Sequence, residues 1–234
     1  MTGAPRTPAA WRGQVNRVVG HVLLGVPYRV QALGRSQVPT DGPILFVGNH
    51  LGFLDGPLLA AYAPRPTSML VKREMFHGLL GRILTFLGHI PVTRNAGDRA
   101  ALQMAIAVLG RGRGGAVGIF PEGTRGRGTV AAVQQGAAWL ALQSGARVVP
   151  VAFLGTRATG AHTGSLPGLR TRLVIDFGTA HQLEVDPSQS GRDRLSAASS
   201  QVRELLAEHV MAAAEHHGLA LPEDDGTHTS AAGA

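Results

Sequence analysis

The chain has 234 residues, enough for one domain with a substantial core, and it contains no cysteine, which excludes disulfides, thiolate catalysis and cysteine metal sites. Charged side chains make up 16% of the sequence, below the roughly 25% of an average soluble domain, so an unusually apolar surface is expected. The 22 basic and 15 acidic side chains give a net charge of +7, which indicates phosphates, nucleic acid or an anionic membrane as partners.

The first predicted element is an amphipathic helix that begins near Trp11 and ends before Pro27. Its apolar residues recur at helical spacing: Val15, Val18, Val19, Val22, Leu23 and Val26. The first 40 residues contain five arginines and no carboxylate, which suits a helix lying on anionic lipid. The same periodicity fits a helix that packs this stripe on the domain's own core, so both interpretations stay open. The apolar run is too short and too polar to span a bilayer, and residues 1–38 are expected to form a mobile arm and a helix facing the membrane.

A short apolar run at residues 44–47 follows a Gly/Pro turn signal and predicts a buried strand. His50 comes at the carboxyl end of this strand, where open α/β sheets bind ligands. A neutral imidazole is suited to accept a proton near pH 7, so His50 is a candidate general base. A helix that begins near residue 52 or 53 would bring Asp55 back to orient the ring. The alternative is that His50 caps the next helix and Asp55 lies on a solvated face.

Strands and helices alternate through the rest of the chain, which predicts an α/β fold with a single mixed, partly parallel sheet flanked by helices. The predicted strands are residues 68–71, 90–92, 116–120, 148–153 and 173–177, and the predicted helices are residues 76–87, 98–109, 131–143 and 195–209. Pro91 indicates that its strand lies at an edge, and Asp98 is the predicted N-cap of the next helix. The folded domain is expected at residues 39–218, with a disordered tail at 219–234.

Residues that can bind anions follow three of these strands. Lys72 is the only lysine in the chain, and it would lie on the same edge as His50 if the strands are parallel. Arg94 comes two residues after the predicted edge strand. The third loop presents N–H groups, a hydroxyl and a guanidinium, a combination that binds oxyanions or phosphates, from Glu122, Gly123, Thr124 and Arg125.

The chain resembles the glycerolipid acyltransferase family, which includes the 1-acylglycerol-3-phosphate acyltransferases. The resemblance spans about residues 39–177 and rests on four blocks in order: Asn49-His50 with Asp55, KREMF at 72–76 leading to GHIPVTR at 88–94, FPEGTR at 120–125, and VVPV at 148–151. The chain departs from the family pattern at two places. Gly126 stands where the family usually has Ser, and residues 133–135 lack the lysine that the family often has before the glycine opening the next helix.

The resemblance implies a reaction and a role for each site residue. His50 would take the proton of an acceptor hydroxyl as that oxygen attacks an acyl thioester, and Asp55 would hold the imidazole. The acceptor would be a lysophosphatidic acid, as in phospholipid biosynthesis, with its phosphate bound by Arg94, Arg125, Lys72 and the loop Glu122-Gly123-Thr124. The donor would be acyl-CoA or acyl carrier protein. No cofactor and no metal is expected, because the thioester is already activated and no zinc or nucleotide motif is present. The implied location is the cytoplasmic face of a membrane, as a peripheral protein on an anionic surface.

Other functions compete with acyl transfer for the same sequence features. An acyl-CoA thioesterase would use the same pair with water as acceptor, and a different lysophospholipid or a non-glycerolipid acceptor would fit the same chemistry. The glycines at 110, 112 and 115 match a dinucleotide fingerprint, but they follow a predicted helix and lead into a strand, the reverse of what pyrophosphate binding requires. The Arg-Gly runs at 111–115 and 125–128 suggest RNA binding as a further alternative. However, aromatic residues make up only 5% of the chain, so few side chains can stack on bases. No nucleic acid is expected as a partner.

Overall fold

The computed structural model describes residues 10–93 and 98–226. The helices are α1 (Ala10–Gly25), α2 (Asp55–Tyr62), α3 (Gly78–Leu87), α4 (Arg99–Leu109), α5 (Gly136–Ser144) and α6 (Gly191–His217). The strands are β1 (Arg29–Leu33), β2 (Ile44–Gly48), β3 (Thr67–Lys72), β4 (Ile90–Val92), β5 (Ala116–Ile119), β6 (Arg147–Leu154) and β7 (Arg172–Phe177). Short 3-10 turns at Arg35–Gln37 and Arg73–Met75 precede β2 and α3.

The strands form one seven-stranded mixed sheet in the order β1-β7-β6-β2-β5-β3-β4, flanked by helices, which confirms the predicted fold class. The central strand β2 pairs in parallel with β5 and β6, and parallel pairing continues through β3 to β4. β7 runs antiparallel to β6 and pairs in parallel with β1. The strands β6, β2, β5, β3 and β4 therefore end at one edge of the sheet, and the loops after them lie side by side.

Helices cover both faces of the sheet because its central strands are apolar on both sides. In β2, Leu45 and Val47 pack in a cluster with α4, α5 and α6, whereas Ile44 and Phe46 pack in a cluster with α1 and α2. All four side chains are fully buried. This double burial is why the strand has a continuous apolar run instead of an alternating pattern.

Most elements lie close to their predicted positions, and the differences have local causes. β1 is not predicted from the sequence, because its residues alternate between exposed and half-buried along an edge of the sheet. α5 begins at Gly136 instead of residue 131, because the Gln134 N–H donates to the Pro121 carbonyl at 2.7 Å and keeps the preceding residues in the loop. The predicted N-cap is confirmed, since Asp98 Oδ1 accepts the Ala101 N–H at 3.0 Å. β4 is an edge strand, as predicted.

The two ends of the chain are described only in part. Residues 1–9 and 227–234 lie outside the described residues, as do residues 94–97. The described part of the predicted tail, residues 219–226, packs against the domain: Leu219 and Leu221 contact the core and Pro222 is buried.

Among the helices that the structure describes, none is both long enough and apolar enough to cross a bilayer.

Candidate active site

The candidate site lies where β6, β2 and β5 end. Asn49 and His50 follow β2. The strands on either side of β2, which are β5 and β6, also continue into loops at this edge. Asn49 is fully buried and joins the ends of β2 and β6. Its side-chain oxygen accepts the Phe153 N–H at 2.8 Å, and its side-chain nitrogen donates to the Phe153 carbonyl at 3.2 Å. This pair of hydrogen bonds fixes the point at which His50 leaves the sheet.

His50 and Asp55 form a hydrogen-bonded pair, with His50 Nδ1 2.8 Å from Asp55 Oδ2. The Asp55 side chain is fully buried, so it does not lie on a solvated face. Its Oδ2 also accepts the backbone N–H groups of Leu51 at 2.7 Å and Gly52 at 2.9 Å. These two groups belong to the turn that leads into α2. One carboxylate therefore orients the imidazole and holds the turn between the two residues.

The His50 ring is also held on its face. It stacks on the Phe120 ring with the centroids 4.2 Å apart and the planes 12° apart. The side chain is 10% exposed, so water reaches only a small part of it. With the Nδ1 proton directed at Asp55, the lone pair of the neutral ring lies on Nε2. This arrangement can take a proton from a hydroxyl or a water molecule that approaches Nε2.

Glu122 braces the backbone of His50. Its Oε1 accepts the His50 N–H at 2.9 Å, and its carboxylate also accepts the backbone N–H of Val130. Burial raises the pKa of Glu122, the two N–H donors act in the opposite direction, and the charge of Asp55 adds to the rise. The carboxylate thus ties the β5 loop to the histidine. Its predicted contact with substrate stays a prediction.

Gly123 and Gln134 shape the rest of this loop. Gly123 has φ +74°, and a Cβ at this position would lie 2.2 Å from Gln134 Nε2. A side chain here would be strained at this φ, and its Cβ would have to displace the amide end of Gln134. In the stretch where the family resemblance would place a lysine, a neutral amide therefore lies against the loop. Thr124 is exposed to solvent.

The three predicted phosphate-binding cations differ in position. Arg125 is half-buried in the loop after β5, with its Cζ 5.5 Å from the centroid of the Phe53 ring and its Nη1 donating to the Thr163 carbonyl at 3.5 Å. Lys72 is exposed at the end of β3, two strands from β2, and its Nζ is 3.6 Å from Glu74 Oε1. Arg94 lies outside the described residues. The structure therefore brings Arg125 next to the turn that carries His50 and Asp55, and it places Lys72 further along the same edge.

Sequence reasoning gave no role to Asn49, Phe120 or Arg157, which all contribute to this site. The first two belong to recognisable motifs, but their contacts depend on which strands are neighbours. Arg157 follows β6, and its side chain is 0% exposed. A fully buried arginine is unusual and needs partners, which come from distant parts of the chain.

An apolar surface is formed by two helices that contact each other, α1 and α3. On α1 and in the turn directly after it, five side chains are from 47% to 73% exposed: Val18, Val19, Val22, Leu23 and, after the helix, Val26. On α3 they range from 44% to 73%: Leu79, Leu80, Ile83 and Phe86. The opposite side of α1 packs on α2, where a Cβ at Gly20 would lie 2.5 Å from the Ala61 Cβ. The predicted apolar stripe of α1 thus faces outward, and the core contact is made by other residues.

Comparison with known proteins gives a consistent family. Residues 29–154 match the family model described as Acyltransferase. The chain is 32% identical over 155 residues to a 1-acyl-sn-glycerol-3-phosphate acyltransferase of Chlamydomonas reinhardtii, covering 63% of this chain and 46% of that one. It is 32% identical over 133 residues to the Borreliella burgdorferi protein of the same name, covering 55% of this chain and 52% of that one. The chain thus spans about half the length of these two relatives.

A longer match links the chain to a lyso-ornithine lipid O-acyltransferase of Pseudomonas aeruginosa. The two are 35% identical over 218 residues, which is 85% of this chain and 78% of that one. The fold is similar to the crystal structure of the 1-acyl-sn-glycerophosphate (LPA) acyltransferase from Thermotoga maritima, with a TM-score of 0.65 and 21% identity, covering 86% and 79% of the two chains. At this level of identity the structural similarity concerns the fold alone.

Proposed function

Because the chain belongs to the acyltransferase family, we propose that it transfers a fatty acyl group from an acyl thioester to the free hydroxyl of a lysolipid, with lysophosphatidic acid as the first candidate acceptor. One observation carries the proposal: the His50 imidazole is held 2.8 Å from a buried carboxylate at the edge of the sheet where Arg125 also lies. A base and a cation in one cluster of loops suit a hydroxyl acceptor that also carries a phosphate.

The proposed reaction needs only these groups. His50 Nε2 removes the proton of the acceptor hydroxyl while that oxygen bonds to the thioester carbonyl carbon. The tetrahedral adduct then expels the thiolate, which takes the proton back from the imidazolium. Asp55 stabilises the imidazolium in between, and no covalent bond to the protein forms. General-base catalysis of this kind contributes about 10²–10⁴-fold.

Arg125 is proposed to bind the acceptor's phosphate, with Arg94 and Lys72 as further candidates from the family resemblance. A guanidinium binds a phosphate through two parallel hydrogen bonds, which fix the orientation of the acceptor as well as holding it. Orientation decides which hydroxyl faces His50, and positioning is a large part of catalysis in reactions of this type. Glu122, Gly123 and Thr124 are proposed to shape the loop beside this phosphate.

A second acceptor class is favoured by two observations. The match to the lyso-ornithine lipid acyltransferase covers more of both chains than the matches to the two 1-acyl-sn-glycerol-3-phosphate acyltransferases. A neutral amide, Gln134, lies against Gly123. An acceptor whose head group is an amino acid needs less positive charge than a phosphate monoester does. The second candidate is therefore a phosphate-free lysolipid with an ornithine head group.

The test is an acceptor panel with the purified full chain. Two labelled donors, acyl-CoA and acyl carrier protein that carries the acyl group, are offered in turn. Each is combined with lysophosphatidic acid, lyso-ornithine lipid, glycerol 3-phosphate or no acceptor, and the lipid products are separated. We expect lysophosphatidic acid to be esterified at a rate about tenfold or more above hydrolysis without acceptor, because the bound phosphate places the hydroxyl at His50. A preference for the ornithine lipid would reassign the acceptor. Hydrolysis at equal rates with and without acceptors would make the protein a thioesterase.

We propose further that α1 and α3 dock on an anionic membrane, at its cytoplasmic face, through the apolar surface described above. Eight large apolar side chains exposed on two touching helices, with Val26 directly after α1, form a patch that a soluble monomer rarely shows. The five arginines among the first 40 residues add attraction to anionic lipid. An acyltransferase that sits on the bilayer would meet its lysolipid acceptor there.

Leu23→Asp is expected to weaken binding to vesicles that contain anionic phospholipids by about tenfold or more, since burying a leucine is worth about 1.5–3 kcal/mol. The matched control is Met211→Asp, which makes the same charge change at a residue of similar exposure on α6, across the sheet from α1. Vesicle co-sedimentation measures both variants. Equal losses in the two would show that net charge, and not the surface on α1 and α3, governs binding.

A further inference from the structure

The end of the described chain returns to the candidate site. After α6 the chain turns back, and residues 221–226, here called the C-terminal strap, lie across the loops that follow β5 and β6. Pro222 and Gly226 are buried, and the Glu223 N–H donates to the Thr159 hydroxyl at 3.2 Å. The strap is thus packed and hydrogen-bonded where composition alone predicts a disordered tail.

Arg157 joins the strap to the β5 loop. Its fully buried side chain donates from Nη2 to the Gly126 carbonyl at 3.1 Å and to the Asp224 carbonyl at 2.5 Å. From Nη1 it donates to the Ala161 carbonyl at 3.0 Å and to Asp224 Oδ1 at 2.6 Å. One guanidinium therefore connects three segments that are far apart in sequence.

Gly126 passes this contact on to His50. Its N–H donates to the His50 carbonyl at 2.9 Å, while its own carbonyl accepts from Arg157. Gly126 is thus held from both sides, and Arg125 is its immediate neighbour in the chain. The contacts run without a gap from Asp224 through Arg157 and Gly126 to His50.

Asp224 supplies the charge that the buried guanidinium needs. Besides its bond to Arg157, its Oδ2 accepts the Gly160 N–H and its Oδ1 accepts the Gly226 N–H at 2.8 Å. The hydrogen bond with Arg157 is the largest of the contacts that hold the pKa of Asp224 below its usual range. A buried arginine whose carboxylate is removed is left uncompensated, which strongly disfavours this arrangement. The next residue differs: Asp225 pairs with Arg127 at 3.4 Å, and both side chains are more than half exposed.

We propose that Arg157 and Asp224 are positioning residues: the C-terminal strap clamps Gly126 against His50 and so fixes Arg125 beside the acceptor's head group. The clamp itself rests on contacts of this chain alone. Its effect on acceptor binding rests on the proposed function. The two parts can therefore be tested by separate measurements on the same variants.

The clamp is tested by hydrogen exchange in full-length Asp224→Asn, with Asp225→Asn as the matched control. Asp224→Asn is expected to speed exchange of the Gly126 amide by about tenfold or more, because local opening of the loop no longer breaks an ion pair. Asp225→Asn, which removes the same charge one residue away, is expected to leave this amide within about twofold of the native rate, since an exposed ion pair contributes little. Amides of β2 serve as the internal reference, and unchanged exchange at Gly126 in Asp224→Asn would overturn the clamp.

Kinetics then test the positioning role. Asp224→Asn is expected to raise the KM for the lysolipid acceptor by about tenfold while changing the KM for the thioester by less than about twofold, because only the head-group loop is loosened. A merely structural role would lower the amount of folded enzyme and leave both KM values unchanged, and that result would overturn positioning. Arg157→Lys keeps a cation for Asp224 but lacks the fork that reaches Gly126. Like Asp224→Asn, it is expected to speed exchange of the Gly126 amide and to raise the KM for the lysolipid acceptor.

Arg157→Lys carries the test if Asp224→Asn does not fold. If the native chain transfers no acyl group to any acceptor, the proposed function fails while the exchange measurement still decides the clamp.

Discussion

His50→Ala is expected to lower kcat for acyl transfer by about 10²–10⁴-fold, the range that a general base contributes. The variant removes the nitrogen that would take the acceptor's proton. Among the described residues, no other side chain at this site pairs with a buried carboxylate and could replace His50 as the base. The fold is expected to stay intact, because Asp55 keeps its bonds to the Leu51 and Gly52 N–H groups. Single-turnover transfer from labelled acyl-CoA measures the change.

The control for this variant is His77→Ala, an exposed histidine directly before α3. It removes the same side chain at a place with no buried carboxylate partner and is expected to keep kcat within about twofold of the native value, as is usual for surface substitutions. If His50→Ala turned over as fast as His77→Ala, the imidazole at position 50 would have no part in the chemistry.

Asp55→Asn is expected to affect both activity and stability. Three donors converge on Oδ2 of Asp55: the His50 ring and the Leu51 and Gly52 N–H groups. An amide oxygen can replace one carboxylate oxygen but carries no charge, so it cannot stabilise the imidazolium, and kcat is expected to fall by about 10²–10⁴-fold. Since hydrogen bonds to a charged group contribute about 1.5–3 kcal/mol, the free energy of unfolding is expected to fall by about 1–3 kcal/mol.

Urea unfolding of Asp55→Asn is compared with that of Asp193→Asn, an exposed acid in the first turn of α6. The control loses a similar charge near a helix start and is expected to change the free energy of unfolding by less than about 0.5–1 kcal/mol. Native stability combined with lost activity in Asp55→Asn would assign the carboxylate to chemistry alone. Native activity would remove it from the mechanism.

The pair at the centre of the site could be predicted because both members lie in one short loop. The strand before His50 is recognisable from its apolar run, and a separation of only five positions keeps Asp55 close to the ring. The same holds for Asp98, whose capping contact is made three residues away. Local spacing thus determines local contacts, and these are what a single sequence shows most directly.

Contacts between distant segments could not be predicted in this way. Glu122 accepts the His50 N–H across 72 positions, which requires β2 and β5 to be neighbours. The strap has a composition typical of a disordered tail, and Arg157 looks like a surface arginine until Asp224, 67 positions later, is placed against it. The late start of α5 has the same origin, since the loop before it is bonded to Pro121 instead of continuing a helix.

Asp55 has both a catalytic and a structural role, and this affects which substitutions related proteins can accept. A homologue that is no longer an enzyme can replace the histidine with little loss of stability, because the carboxylate still holds the turn before α2. Loss of the acid, in contrast, would loosen that turn whether or not chemistry is retained. We therefore expect inactive homologues of this protein to have lost the histidine at position 50 while they still have the aspartate at position 55.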